Sequence, residues 1–216
     1  MNAATRIIAI RHGETPWNRA RRIQGHTDID LNDTGRMQAE RAGLALHGEP
    51  IAAIYSSDLQ RAHHTALAIA RHALPDGPPV QTHTGLRERH FGQFEGHTYE
   101  AIETQWPDAA RRWKTREPGF APAGGESPLD VMARVRATVD TLSADHLGAQ
   151  IVLVAHGGVM DMLYRLATQQ TVNAVRTWEL ANAAINRLLW TPDGLTLVGW
   201  GDVRHLDGLA LDETTS

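Results

Sequence analysis

Arginine and histidine stand side by side at Arg11-His12, and the same two residue types recur far along the chain at Arg61 and His156. A histidine attacks a phosphoryl group through a ring nitrogen when nearby cations hold the developing charge and the imidazole stays neutral. Arginine suits the cationic part because its planar fork pairs with two oxygens at once and does not titrate in the useful range. Repulsion from the arginines also opposes protonation of His12, whereas a bound phosphate favours the charged form of His156. Each residue alone is more often structural or surface than functional. What matters is whether the fold brings them together.

Three short apolar runs suggest that it does. Ile7-Ile8-Ala9-Ile10 leads into Arg11-His12, Ile51-Ala52-Ala53-Ile54-Tyr55 into Ser56-Ser57-Asp58-Leu59-Gln60-Arg61, and Ile151-Val152-Leu153-Val154-Ala155 into His156-Gly157-Gly158. Each reads as a buried parallel strand, and open α/β sheets bind ligands at the carboxyl ends of such strands. Ser57 and Gln60 have capping-box spacing, so a helix is expected to start there with Arg61 in its first turn, facing the same crevice. Another helix is expected from Gly157, with its free N–H groups aimed at the phosphate site.

Five separated segments then carry a resemblance: Arg11-His12-Gly13-Glu14-Thr15-Pro16-Trp17-Asn18, Tyr55-Ser56-Ser57-Asp58-Leu59-Gln60-Arg61-Ala62, Leu86-Arg87-Glu88-Arg89-His90-Phe91-Gly92, Gly124-Gly125-Glu126-Ser127 and Ala155-His156-Gly157-Gly158-Val159. In these the chain resembles the histidine phosphatase superfamily, the group that includes the cofactor-dependent phosphoglycerate mutases. The resemblance implies that His12 becomes transiently phosphorylated, that Arg11, Arg61 and His156 hold the phosphoryl oxygens, and that Glu88 handles protons. It also implies that Asn18, Gln24 and Gly25 contact the phosphate or the adjoining part of the substrate.

Three readings compete: a phosphomonoester hydrolase acting on a small phosphorylated metabolite, a phosphoglycerate-type mutase, and a phospho-ligand-binding module without catalysis. Every proposed catalytic position holds a competent residue, which disfavours the last. Family mutases usually have Asn after the second histidine's glycine and Tyr-Gly after the acidic motif, where this chain has Gly158 and Phe91-Gly92. No match to the longer mutase insertion is evident. The hydrolase is therefore the expected activity, with no cofactor. Only the mutase reading brings in 2,3-bisphosphoglycerate.

Composition fits. The 216 residues carry a formal net charge of -4, which argues against nucleic-acid binding through a basic surface, and contain no cysteine, which removes disulfides and thiolate chemistry. No apolar segment approaches the length of a membrane span, and the polar start lacks a signal-peptide core, so a cytoplasmic location without membrane partners is expected. A homodimer stays open. One domain over 1–216 is expected: an α/β three-layer sandwich with a mostly parallel sheet, an antiparallel edge, and a helical insertion at about 92–126 over the active site.

Further helices are expected over Thr34 to His47, through Met37, Leu44 and Leu46; through Leu59, Ala62, Ala66, Ile69 and Ala70; and after Ser127-Pro128-Leu129-Asp130, through Met132, Val135, Val139 and Leu142. Pro192-Asp193-Gly194 has hairpin chemistry between Ala184 to Trp190 and Leu195 to Trp200. The tail from Asp207 has little to pack. Within the insertion, Phe94, Trp106, Trp113 and Phe120 either wall a pocket or pack the segment onto the core. Arg111, Arg112, Lys114 and Arg116 either grip an acidic substrate or form a solvated face. His63, His64, His90 and His97 lack the spacing of a metal framework, and no metal is expected.

Overall fold

The computed structural model describes residues 4–73, 77 and 79–208. The chain opens with β1 (Thr5–Arg11), short α1 (Pro16–Arg19) and α2 (Asp33–Ala45), followed by β2 (Ala53–Ser56), α3 (Gln60–Ala73) and β3 (Val80–Thr82). Next come α4 (Tyr99–Gln105), α5 (Pro107–Lys114), α6 (Pro128–Ala144), β4 (Gln150–Ala155) and α7 (Gly157–Thr168), and the hairpin β5 (Ile185–Thr191) and β6 (Gly194–Asp202) closes the fold. The sheet has six strands in the order β3-β2-β4-β1-β5-β6. Pairing is parallel from β3 to β1 and antiparallel for β5 and β6.

Successive strand residues point to opposite faces, and both faces are covered. Ile7, Ala9, Tyr55, Ile151 and Leu153 pack under α6 and α7, while Ile8, Ile10, Ile54, Val152 and Val154 pack under α2 and α3. This is why the strands read as continuous apolar runs. Each fully buried Ile or Leu contributes about 1.5–3 kcal/mol relative to exposure. Register sets the three strand ends level: Arg11 pairs with Ala155, and Ser56 with Val154. The backbone N–H of His12 continues the ladder to the Ala155 carbonyl at 2.9 Å, and that of Ser57 to Val154 at 3.0 Å.

Several local expectations needed correction. α2 turns its small residues Gly35, Ala39, Ala42 and Gly43 inward and Leu46 at its end is buried as expected, but Met37 and Leu44 are left at 48% and 59% exposure. Small side chains let α2 lie close against α3, which outweighs the pull of two larger apolar groups. The Ser57-Gln60 capping box does not form. Ser57 Oγ accepts only from the Leu59 N–H at 3.3 Å, and the first turn of α3 is closed by Asp28, whose two carboxylate oxygens take the Gln60 backbone and side-chain donors at 2.8 and 3.1 Å. By contrast, Ser127 and Asp130 do form a capping box at α6.

Residues 92–126 hold α4 and α5 around their own apolar cluster of Phe94, Ile102, Ala110 and Phe120, joined by Ile23. Phe94 and Phe120 are buried there, with Trp106 packed against them, so these three hold the insertion together. At the other end of the chain, Asp207 and Gly208 are exposed, with the Asp207 carbonyl accepting from Arg41 at 2.7 Å; 209–216 lie outside the described residues. No helix among the described residues is long and apolar enough to cross a membrane.

Candidate active site

The strand ends open into a cavity of about 960 Å3, lined by Arg11, His12, Arg61, Glu88 and Gly157 from the sheet side and by Tyr99, Trp113 and Arg116 from the insertion. His12 is 2% exposed. Its Nδ1 lies 2.7 Å from the Gly13 carbonyl, which can only accept, so Nδ1 carries the proton and Nε2 keeps its lone pair. Asn182 Nδ2 donates to the His12 carbonyl at 2.8 Å, and the Ala183 N–H to that of Arg11 at 2.9 Å. The segment before β5 therefore clamps the backbone of Arg11 and His12. The His12 and His156 rings face each other across 5.2 Å between centroids, tilted by 59°.

His156 occupies the N-cap position of α7 but makes no side-chain cap, and both of its ring nitrogens are buried without a partner. Arg61 is fully buried. Its two terminal nitrogens donate to the Thr27 and Gly25 carbonyls at 2.9 and 2.7 Å, while its Nε has no partner. Arg11 donates to the Leu180 carbonyl, and its Nε is likewise unpartnered. Buried polar groups are normally satisfied. Here the unsatisfied ones come from three elements that end at one point, and nearly all are donors or potential donors.

The remaining positions singled out in the sequence also gather here, in differing capacities. Asn18 lines the cavity, with its Oδ1 turned back to accept from the Thr15 N–H and hydroxyl at 3.0 and 3.1 Å, so its amide N–H groups are left for the cavity. Gln24 Oε1 is buried and unpartnered. Gly25 serves chiefly through its backbone: φ of +54° turns its carbonyl to Arg61, a conformation that suits glycine.

Glu88 lies across the N-terminus of α7, where both carboxylate oxygens accept from the Gly158 N–H at 3.0 and 3.1 Å. A Cβ at position 158 would come within 2.3 Å of Glu88 Oε1. Glycine in place of the mutases' usual Asn thus makes room for this carboxyl pose.

Burial pushes the His12 imidazole well below its ordinary pKa of 6.5, and Arg61 and Arg11 push it further; the Gly13 hydrogen bond works the other way. Burial, Arg61, His12 and Arg11 depress His156 in the same direction. Repulsion by the arginines is thus real but second to desolvation. Arg61 falls to about 10, chiefly by burial, and remains charged at neutral pH.

Sequence reasoning missed Thr65. Four residues after Arg61, its hydroxyl donates to the Arg61 carbonyl at 2.7 Å and accepts the Gly13 N–H at 3.1 Å, tying the two cationic segments together. The i,i+4 spacing was the available signal. Asn182 had none, since only tertiary folding returns it to β1. Of the insertion's basic residues, Arg111 and Arg112 pair with Asp108 and Glu117 at the surface, Lys114 with Glu103 at the cavity rim, and Arg116 reaches inward to Asp161. Among the described residues no group of His, Cys, Asp or Glu could hold a metal ion. His64 pairs with Asp30, His63 with Ser56, and His90 stacks on His26.

Comparison with known proteins gives this geometry a context. Residues 7–203 match the profile of the histidine phosphatase superfamily (branch 1). Phosphoglycerate mutase-like protein 4 of Arabidopsis thaliana is 39% identical over 204 residues, covering 93% of this chain and 86% of that protein. The metal-independent phosphoserine phosphatase of the same organism is 35% identical, covering 95% and 84%. Mycobacterial glucosyl-3-phosphoglycerate phosphatase, solved in complex with VO3, superposes with a TM-score of 0.80 at 34% identity over 91% of this chain and 98% of that one. The chain belongs to the histidine phosphatase superfamily, branch 1.

Proposed function

We propose that the protein is a phosphomonoester hydrolase for a small phosphorylated metabolite, working through a phosphohistidine on His12. The Nε2 lone pair attacks phosphorus, and the N–P bond forms as the ester P–O bond breaks. The transition state spreads charge over the equatorial oxygens, so the protein contributes mainly position and positive charge. Arg11 and Arg61 supply that charge, with the N–H groups of Gly157 and its neighbours at the start of α7, and His156 adds a ring N–H that a bound phosphate dianion favours in the protonated form. The Glu88 carboxyl protonates the departing alcohol oxygen and, as a carboxylate, then takes a proton from the water that cleaves the N–P bond.

The carrying observation is the convergence of unpartnered nitrogens from Arg11, Arg61 and His156 beside a histidine whose Nδ1 is committed to Gly13. No step calls for a metal or an organic cofactor, and the cytoplasmic location expected from the sequence belongs to the same proposal. Two of the relatives named above are phosphatases, which supports hydrolysis. The similarity to a mutase-like protein keeps phosphoryl transfer to an organic acceptor as the second reading.

One incubation separates them: the protein with 3-phosphoglycerate and a trace of 2,3-bisphosphoglycerate, with free phosphate and 2-phosphoglycerate measured separately. Hydrolysis predicts phosphate release. Isomer formation without phosphate would overturn it.

A further inference from the structure

The chemistry above gives no task to Gly124-Gly125-Glu126-Ser127, although this stretch is one of the segments that carry the family resemblance. Ser127 caps α6. The residues before it lay the chain against the segment that bears Glu88. A Cβ on Gly125 would come within 2.6 Å of the His90 carbonyl, an approach that glycine allows. There the two segments are joined twice: the Glu126 N–H donates to the His90 carbonyl at 2.8 Å, and Glu126 Oε2 accepts the His90 N–H at 2.8 Å.

Glu126 also takes the fork of Arg134 from α6, with Nε on Oε1 and a terminal nitrogen on Oε2, both at 2.8 Å. The remaining donors of that guanidinium turn to backbone. One terminal nitrogen donates to the carbonyls of Gly85 and Arg87 at 2.9 Å each, and the other reaches the carbonyl of Glu88 at 3.3 Å. An arginine has five N–H donors, so every one of them goes to this loop or to the acid that orients the fork. From the loop between α1 and α2, His26 Nε2 donates to the same Glu88 carbonyl at 2.9 Å.

Glu126 and Arg134 are mostly buried, yet neither lines the cavity that holds His12 and Glu88. What they fix is the backbone on which Glu88 stands. The carboxyl end of the same residue is held separately, by the Gly158 N–H on α7. A general acid must lie within hydrogen-bond reach of the departing oxygen, and misplacement by about 1 Å costs on the order of a hundredfold. Support of this kind is what holds a reacting group to that tolerance.

We propose that Glu126 and Arg134 are positioning residues for the proton transfer, fixing the backbone of Glu88 so that its carboxyl sits between the start of α7 and the leaving oxygen. This rests on the hydrolase reading for the identity of the acid. It gives the Gly124-Gly125-Glu126-Ser127 stretch a role in catalysis without contact with substrate.

The variants are Arg134→Gln, Arg134→Lys and Glu126→Gln, each read in two ways. In turnover, Arg134→Gln should lower kcat by about tenfold with an alkyl phosphate and by less than about twofold with a nitrophenyl ester, with KM little changed. In a Glu88→Gln background the same substitution should have almost no effect, because nothing is left to position. Arg134→Lys should recover part of the loss, and Glu126→Gln should act in the same sense. Equal losses with both esters, or a loss that adds in full to that of Glu88→Gln, would mean a merely structural role and overturn the proposal.

The second readout needs no turnover. The Gly158 amide resonance reports the Glu88 hydrogen bond, so Arg134→Gln should move it in the direction that Glu88→Gln does. An unmoved resonance in the folded variant would also overturn the proposal. Should the unaltered chain release no phosphate from either ester, the hydrolase reading fails while this resonance still decides the positioning. Thermal melts identify folded variants, and if Arg134→Gln does not fold, Glu126→Gln, which keeps the shape of its side chain, carries both readouts.

Discussion

The two ends of the cavity are built on different principles. At the strand ends, His12 and Arg61 are buried, and backbone carbonyls fix the side chains proposed to act: Gly13 for His12, Gly25 and Thr27 for Arg61, Leu180 for Arg11. Toward the insertion, side chains hold one another through ion pairs and stacked rings, such as Tyr99 on Trp113 at 4.9 Å and Arg116 on Asp161. Backbone-anchored groups move only if the fold moves. Side-chain networks can be rewired by single substitutions. Changes at the first end are therefore expected to alter whether reaction occurs, and changes at the second which ester reacts.

The strongest way to break this contrast is His12→Ala. Loss of a nucleophile should lower turnover of every phosphate ester by about four orders of magnitude or more, whatever the alcohol. Steady-state assays on phenyl phosphate and on an alkyl phosphate measure it, and a retained rate would remove His12 from the chemistry. A smaller and more discriminating effect is expected from Glu88→Gln. General-acid help is worth roughly a hundredfold or more for poor leaving groups and much less for acidic ones, so the loss should be large with an alkyl phosphate and slight with a nitrophenyl ester. A loss independent of leaving-group pKa would deny Glu88 its role as the proton donor.

The smallest expected effect concerns stability. His12 and His156 are held below 6.5 in the folded chain, whereas the unfolded chain titrates near that value. Above this pH neither state binds protons at these rings. As pH falls through 6.5 the unfolded chain takes up protons that the native one refuses, so stability declines until the folded values are reached. Thermal midpoints from pH 7.5 down to 5 should fall, and His156→Asn should flatten part of that slope. An unchanged slope would mean that burial of the ring carries no such cost.

What the sequence disclosed follows the same division. Arg11, His12 and His156 each stand directly after a buried apolar run, so local pattern and parallel-sheet geometry suffice to bring them together. Arg61 was legible for the same reason, although the cap that starts its helix was not: Asp28 arrives from another loop, and no short-range pattern announces it. The inward face of α2 was misread because small residues, not large ones, mark a close helix contact. Asp161 showed only its i,i+4 spacing to Arg165. Its pairing with Arg116 depends on the insertion reaching across to α7, and that is a property of three dimensions only.

The borrowed cap on α3 has a consequence for how the protein assembles. Asp28 closes the helix that bears Arg61, and the same loop offers Gly25 and Thr27 as the rests for its guanidinium. Neither segment is complete without the other, although more than thirty residues separate them in the chain. The cationic seat for an anion thus exists only while loop and helix are docked, and parting them would remove the cap of the helix and the rests of its guanidinium together.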